Sequence, residues 1–237
     1  MAAEYATRRI ILLGKTGVGK ATLANRITGT SEFKVHDDLE SITRNPVFSE
    51  PVQVESPDQV RYTVQLLDTT GLVNESGITK EQVVQQIKTS YLEKGGEGDA
   101  LVIFVVAYGR FTDEEWDIFR YVIKKLSTAN LSVASALVVT KCEDLSEEAR
   151  DNLVLEIRHS AQTGPIVQNM YKGIHPVGFP DIAKLKPELS DAYEDGMKRD
   201  EETLHQLLLE AEVPEPPDKV TIFVQPSSSS KQHCVLL

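Results

Sequence analysis

A glycine-rich segment between an apolar run and a helical pattern constrains the fold of this chain more than any other feature. Residues 10–13 are Ile-Ile-Leu-Leu, and the next seven residues read Gly-Lys-Thr-Gly-Val-Gly-Lys. This is the G-x-x-x-x-G-K pattern of a phosphate-binding loop, in the strand-to-helix context that the pattern requires. Glycines let backbone N–H groups converge on phosphate oxygens, and the helix N-terminus adds a favourable dipole. The predicted phosphate-binding residues are Gly14, Lys15, Thr16, Gly17, Val18, Gly19 and Lys20, followed by Ala21 and Thr22.

Apolar runs alternate with helical patterns along the chain, which is typical of a doubly wound α/β fold. We predict a P-loop NTPase domain over residues 8–212, with helices on both faces of a mostly parallel central sheet. Residues 213–237 contain four prolines and a run of four serines and are predicted to be a flexible tail. Strands are predicted at residues 10–13, 47–54, 60–67, 101–106, 134–139 and 174–179, the second and third pairing as a hairpin. Helices are predicted at residues 20–27, 81–92, 112–126, 146–159 and 197–209.

The residue after Lys20 departs from the phosphate-loop pattern. Ser or Thr at that position places a hydroxyl on Mg²⁺, whereas this chain has Ala21. Thr22 is one position further on and rotated by about 100° around the helix axis. Water can take the vacant ligand position, so we expect nucleotide binding to survive with a weakened dependence on Mg²⁺.

A second motif indicates the metal side of the site. Asp68 ends the apolar run at residues 64–67 and suits the Walker-B role, in which it holds Mg²⁺ directly or through water. Gly71 is predicted to offer its N–H to a γ-phosphate. Leu72 follows where many GTPases have a water-positioning glutamine, so we expect slow intrinsic hydrolysis.

The base is predicted to be read after another apolar run. Residues 140–145 are Thr-Lys-Cys-Glu-Asp-Leu, close to the guanine-reading pattern [N/T]-K-x-D. A carboxylate there accepts hydrogen bonds from the guanine N1–H and N2–H₂, and adenine would present an acceptor instead. Thr140 and Lys141 are included in the predicted site, and either Glu143 or Asp144 is the candidate acid.

Three smaller predictions concern helices. Thr112 and Glu115 form the spacing of a capping box at the start of a helix. Trp116, the single tryptophan, is predicted to lie in the core. The acidic run at residues 194–202 is predicted to be a solvated helix face.

Charge and cysteine content exclude several classes. The net charge is −11, which argues against a nucleic-acid partner and against electrostatic capture by an anionic membrane. Two cysteines cannot form a disulfide framework, so a reducing compartment is expected. The longest apolar runs fall short of the ~20 residues that span a bilayer. We therefore expect a cytoplasmic protein.

The chain ends in Cys234-Val-Leu-Leu, a C-a-a-X box whose final leucine predicts geranylgeranylation of Cys234. One lipid gives reversible membrane binding, so we expect reversible association with cytosolic leaflets. Oligomerisation would multiply the anchors and so act as a second signal.

Three segments together resemble the immunity-associated nucleotide-binding GTPases (the GIMAP or IAN family), which are similar to septin- and Toc-like G domains. They are the phosphate loop extended to residues 14–29, the Gly-Arg-Phe-Thr box at residues 109–115, and residues 140–145, similar to the family's T-R-x-D-D-L reader. The resemblance covers about residues 8–212. It implies a GTP/GDP-binding G domain with Mg²⁺ and a homo-oligomer, often at a membrane. It also places Thr43 against the γ-phosphate and Mg²⁺, and Phe179 near the base.

Four positions differ from the family pattern: Ala21 replaces Ser, Thr70 replaces the Pro of D-T-P-G, Glu143 replaces Asp, and Pro180-Asp181 replaces an Asn pair. The leading hypothesis is a guanine-nucleotide switch that hydrolyses GTP slowly and assembles on a membrane. The alternative is a pseudo-GTPase scaffold that binds nucleotide without turnover, so whether the chain is an enzyme stays open. An ATP-using P-loop enzyme is a third, less favoured class.

Overall fold

The computed structural model describes residues 7–33, 48–56, 59–68, 79–93, 100–109, 112–127, 133–168, 170, 172–181, 185 and 187–210. Strands and helices alternate along most of these residues, as predicted. The strands are β1 (Thr7–Leu13), β2 (Val52–Glu55), β3 (Arg61–Asp68), β4 (Ala100–Ala107), β5 (Val133–Thr140) and β6 (Ile174–Pro176). The helices are α1 (Lys20–Thr28), α2 (Lys80–Glu93), α3 (Asp113–Ser127), α4 (Glu147–His159), α5 (Gly164–Val167) and α6 (Pro187–Leu209).

The six strands form one sheet in the order β2-β3-β1-β4-β5-β6. The outer pair β2 and β3 is antiparallel, and every other neighbouring pair is parallel. The predicted hairpin and the mostly parallel sheet are therefore confirmed. In such sheets ligands bind at the carboxyl ends of the strands, and the loops that leave β1, β3 and β5 are those that carry the predicted site.

Helices cover both faces of the sheet, which explains the unbroken apolar runs of the central strands. All eight residues of β4 are buried. One face packs against α2, α3, α4 and α5, and the other against α1 and α6. Trp116 belongs to the first core with only 2% of its surface exposed, as predicted. The capping box is also confirmed, because Glu115 accepts from the Thr112 N–H at 3.2 Å and Thr112 Oγ1 accepts from the Glu115 N–H.

Four elements differ from the sequence-based expectation. β2 starts at Val52 rather than at residue 47, because Pro51 has no N–H to donate to a ladder; Phe48 forms only an isolated bridge to Leu67. β6 ends at Pro176 rather than at residue 179, and α5 was not predicted.

The largest difference is at α6. It begins at Pro187, ten residues earlier than predicted, because proline suits the first helical position and the following turns are too polar to show an apolar period.

Candidate nucleotide-binding site

Three glycines shape the loop between β1 and α1. A Cβ on Gly14 would lie 2.2 Å from the carbonyl oxygen of Val105, so only glycine lets the loop pass this close to β4. Gly17 and Gly19 have φ angles of 75° and 96°, in the left-handed region that side chains rarely adopt. Gly19 is the N-cap of α1, and no side chain caps the helix. The start of α1 therefore presents backbone N–H groups suited to an anion.

The ammonium group of Lys20 lies inside this loop. Its Nζ donates to the carbonyl oxygens of Gly14 at 2.8 Å and Lys15 at 2.7 Å, and the residue is 4% exposed. An ammonium group binds a charged oxygen more strongly than a neutral carbonyl oxygen. Lys20 is thus placed to exchange backbone oxygens for phosphate oxygens.

Neither of the next two residues supplies the hydroxyl that a metal would need here. Ala21 has none. Thr22 lines a cavity of about 550 Å³ with Asn25, Arg26 and His205, between α1, β2 and α6. None of the described residues that line this cavity belongs to the phosphate loop. The fit to Mg²⁺ is therefore incomplete on the α1 side of the site.

Lys15 ties the phosphate loop to α3. Its Nζ donates to Thr112 Oγ1 at 2.8 Å and lies 3.7 Å from the carboxylate of Glu115, which is 1% exposed. Glu115 Oε2 also accepts from Thr112 Oγ1 at 2.7 Å. The capping box of α3 therefore fixes the outer side of the phosphate loop. Thr16 is half-buried and Val18 is buried.

Thr140 ties the same loop to the end of β5. Its Oγ1 lies 2.5 Å from the carbonyl oxygen of Val18 and 3.1 Å from that of Val106, so one hydroxyl bridges the phosphate loop and β4. A Cβ on Gly19 would touch the Thr140 side chain at 3.6 Å. The phosphate loop and the predicted base reader are thus joined by direct contact.

The base-reader loop leaves β5 through an unusual backbone conformation. Lys141 has a φ of 61°, and its side chain is exposed at the site. Cys142 turns inward instead: its N–H donates to the Val177 carbonyl at 3.1 Å, and burial raises the pKa of its thiol to about 12. Cys142 is therefore a core residue and not a reactive thiol.

The two candidate acids have different surroundings. Asp144 is exposed, and its Oδ1 accepts from the Tyr193 hydroxyl at 2.7 Å. Glu143 is half-buried, and its Oε2 is shielded from solvent with no hydrogen-bond partner among the described residues. A buried carboxylate oxygen without a donor is costly, so turning the Glu143 side chain toward a ligand's N–H groups would relieve a cost that Asp144 does not carry.

The remaining predicted residues are placed only in part. Asp68 ends β3, where its backbone pairs in register with Leu12 of β1, next to the phosphate loop. Phe179 is half-buried, and the Arg26 guanidinium lies 5.4 Å from its ring centroid. Thr43, Gly71 and Cys234 lie outside the described residues.

Sequence reasoning missed a group that packs behind the reader. Asp200 falls in the acidic run predicted as a solvated face, but it is 4% exposed and pairs with Arg150 at 2.6 Å. That prediction is wrong at this position. The signal was present, because Asp200 lies three residues after buried Met197 and four before buried Leu204, on the same helical face. Gly178 was also missed, and a Cβ there would lie 2.3 Å from the Glu143 nitrogen.

The described residues also bear on membrane spanning and metal binding. None of their helices is both long and apolar enough to cross a membrane. They also contain no group of three or more His, Cys, Asp or Glu side chains that could hold a metal ion.

The chain is similar in sequence to known GTPases. The chain is 24% identical over 214 residues to GTPase Der of Psychrobacter cryohalolentis, covering 90% of this chain and 41% of that protein. It is 26% identical over 152 residues to GTPase Der of Serratia proteamaculans, covering 63% and 28%. The chain thus spans about two fifths or less of the length of these relatives.

Solved structures with a similar arrangement were also found. One is a septin GTPase domain from Chlamydomonas reinhardtii, with 16% identity and a TM-score of 0.48, covering 87% of this chain and 95% of that one. Another is the translation elongation factor SelB from Methanococcus maripaludis, with 12% identity and a TM-score of 0.46, covering 89% and 35%.

The family model described as the AIG1 family matches residues 8–163, which is more than half of the chain. This match confirms the resemblance seen in the sequence. A GTPase family with this phosphate loop binds nucleotides. The chain belongs to the AIG1 family.

Proposed function

We propose that this protein is a guanine-nucleotide switch that binds GTP and GDP and hydrolyses GTP slowly. The observation that carries the proposal is the loop of residues 14–20, with left-handed glycines, an uncapped helix start and an inward-facing Lys20. These features supply backbone N–H groups and one ammonium group to a diphosphate. The proposed domain spans residues 8–212.

Guanine is the proposed base, and Glu143 is its proposed reader. Once its side chain turns toward the base, the Oε2 of Glu143, which has no partner among the described residues, can accept from the guanine N1–H or N2–H₂, whereas Asp144 already accepts from Tyr193. The Lys141 stem would pack on the face of the ring, and Thr140 would hold the reader beside the phosphates. Adenine offers an acceptor at N1 and would leave the carboxylate without a donor there.

The two acids can be separated by conservative substitution. A side-chain amide keeps one acceptor oxygen and replaces the other with an NH₂ group, which repels the guanine amino group and suits the second carbonyl of xanthine. We expect E143Q to lose about tenfold or more in GDP affinity and to gain affinity for xanthosine diphosphate. The matched variant D144N should keep the wild-type preference. If D144N alone changed its preference from GDP to xanthosine diphosphate, Asp144 would be the reader instead of Glu143.

Mg²⁺ would be held by phosphate oxygens, water and the proposed ligands Asp68 and Thr43, and it would neutralise charge on the phosphates. Ala21 contributes no ligand. Leu72 replaces the glutamine that positions water in many GTPases. Both substitutions support slow turnover.

Ala21 also favours a second candidate, a pseudo-GTPase scaffold that keeps the nucleotide without hydrolysing it. In either case we propose self-association of the domain and a geranylgeranyl group on Cys234. Several chains in one assembly would bring several lipids to the membrane, which strengthens the weak binding of a single lipid.

Competition against a bound fluorescent guanine nucleotide tests the base. Unlabelled GTP should displace it and ATP should not; equal displacement would remove the guanine assignment. Single-turnover release of phosphate, with and without Mg²⁺, then separates the switch from the scaffold. Slow release that exceeds the rate of free GTP supports the switch, and no release supports the scaffold.

A further inference from the structure

Helix α6 contacts the base-reader loop through one buried carboxylate. Asp200 Oδ1 accepts from Arg150 Nη1 at 2.6 Å, and Asp200 Oδ2 accepts from the Gly178 N–H at 2.8 Å. Arg150 Nη2 in turn donates to the carbonyl oxygen of Cys142 at 3.0 Å. Asp200 is therefore linked to two backbone segments that touch Glu143. One is Cys142, the residue before Glu143 in sequence, which Asp200 reaches through Arg150. The other is Gly178, which packs against Glu143.

The contact between Gly178 and Glu143 leaves almost no room for either backbone to move without the other. A Cβ on Gly178 would lie 2.3 Å from the nitrogen and 2.4 Å from the Cα of Glu143, so the two backbones are in direct contact. Moving Gly178 therefore moves Glu143, and among the described residues Asp200 is the side chain that accepts from the Gly178 N–H.

We propose that Asp200 is a positioning residue for base selection: its carboxylate, with Arg150, clamps the backbone on both sides of Glu143. This inference rests on the proposed guanine-binding function and assigns to α6, outside the predicted nucleotide motifs, a part in choosing the base. Burial of the pair strengthens the clamp, because the side chains of Asp200 and Arg150 are 5% and 19% exposed and water competes little for their hydrogen bonds.

A change of base preference, rather than of affinity alone, distinguishes positioning from mere stability. Inosine lacks the guanine N2 amino group, so the ratio of GDP to inosine diphosphate affinity reports how well the reader carboxylate meets both donors. A variant that only loosens the fold weakens both nucleotides equally. A variant that displaces Glu143 lowers the ratio.

The direct test is D200N, which keeps the shape and removes the charge. We expect the GDP-to-inosine-diphosphate ratio, measured by calorimetric titration, to fall about tenfold. The matched control is E201Q, on the same helix, because Glu201 forms an ion pair of similar length, 2.8 Å, with Arg26 in α1. E201Q should keep the wild-type ratio.

A second variant covers the case in which D200N does not fold. R150K keeps a charge opposite Asp200 but cannot also reach the Cys142 carbonyl, so we expect a smaller fall of the ratio in the same direction. An unchanged ratio in folded D200N or in R150K, with wild type still preferring GDP, would overturn the clamp alone. Wild-type protein that binds no GDP would instead overturn the proposed function.

Discussion

At the scale of single residues, the site combines a well-formed phosphate loop with a missing metal ligand. Lys20 and the glycines of residues 14–20 have the geometry that a diphosphate requires, whereas Ala21 offers no oxygen. We therefore expect binding of phosphate and binding of Mg²⁺ to be separable in this protein.

Restoring the hydroxyl tests this separation. We expect A21S to raise the affinity for GTP in the presence of Mg²⁺ by about tenfold, because a direct ligand replaces water on the ion. The measurement is nucleotide dissociation in Mg²⁺ and in EDTA. In EDTA, nucleotide should dissociate from the variant as fast as from wild type. If the variant and wild type also had equal dissociation rates in Mg²⁺, the metal argument would be refuted.

A second residue-scale prediction concerns pH. His205 Nδ1 and the Tyr62 hydroxyl are hydrogen-bonded at a distance of 2.6 Å. Burial lowers the pKa of His205 below its usual 6.5 and raises the pKa of Tyr62 to about 12. The unfolded chain takes up a proton near pH 6.5 that folded His205 resists, so folding stability is lost as the pH falls below 6.5. His175, whose pKa burial also lowers, acts in the same direction.

H205Q keeps a polar partner for Tyr62 and cannot titrate. We expect its free energy of unfolding to fall less than that of wild type between pH 7 and about 5.5. Urea unfolding at each pH measures this. If the free energy of unfolding of H205Q changed with pH as steeply as that of wild type, His205 would not contribute to the pH dependence of stability.

At the scale of elements, the loops at the carboxyl ends of the strands hold one another. Thr140 joins β5 to the phosphate loop, the cap of α3 holds Lys15, and α6 holds the reader from behind. These contacts run between segments distant in sequence. Those of Thr140 and Asp200 reach backbone atoms, and that of Lys15 joins side chains.

The packing of Gly178 on Glu143 gives the sharpest prediction at this scale. G178A would force a Cβ to within 2.3 Å of backbone, so the reader must move. We expect GDP affinity to fall by about tenfold or more. The control is G196A in α6, where the nearest atom to the new Cβ is 4.0 Å away and alanine favours the helix by about 0.5–1 kcal/mol.

Equal GDP affinity in G178A and wild type would show that the reader tolerates displacement. A loss of affinity in G196A as large as that in G178A would show that the effect is not specific to the reader.

The same contacts explain what the sequence could and could not predict. The apolar runs, the phosphate loop and the capping box depend on local pattern, and the structure has them where they were predicted. The first turns of α6 were missed because they lack an apolar period, and Asp200 was misread because its acidic neighbours hid its place on the buried face. Its partner Arg150 is 50 residues away, and no local pattern reports such a pair.

At the scale of the whole molecule, we propose nucleotide binding by residues 8–212 and a lipid on Cys234. Nucleotide binding and membrane binding would then be separate functions of separate segments. Each should survive loss of the other.

Substitution of the proposed anchor tests this division. We expect C234S to move the protein from the membrane fraction to the soluble fraction in cells, with GDP binding unchanged. L237S is the matched control, because a final serine favours farnesylation and so keeps a lipid. An unchanged distribution of C234S would end the prenylation proposal.

The central claim is that the backbone of residues 14–20 and Lys20 hold a nucleoside diphosphate. Calorimetric titration of nucleotide-stripped, folded protein with GDP measures it most directly, with K20M as the matched variant. We expect one GDP per chain and a loss of affinity of about a hundredfold or more in K20M. Folded wild-type protein that takes up no guanine or adenine nucleotide would contradict it.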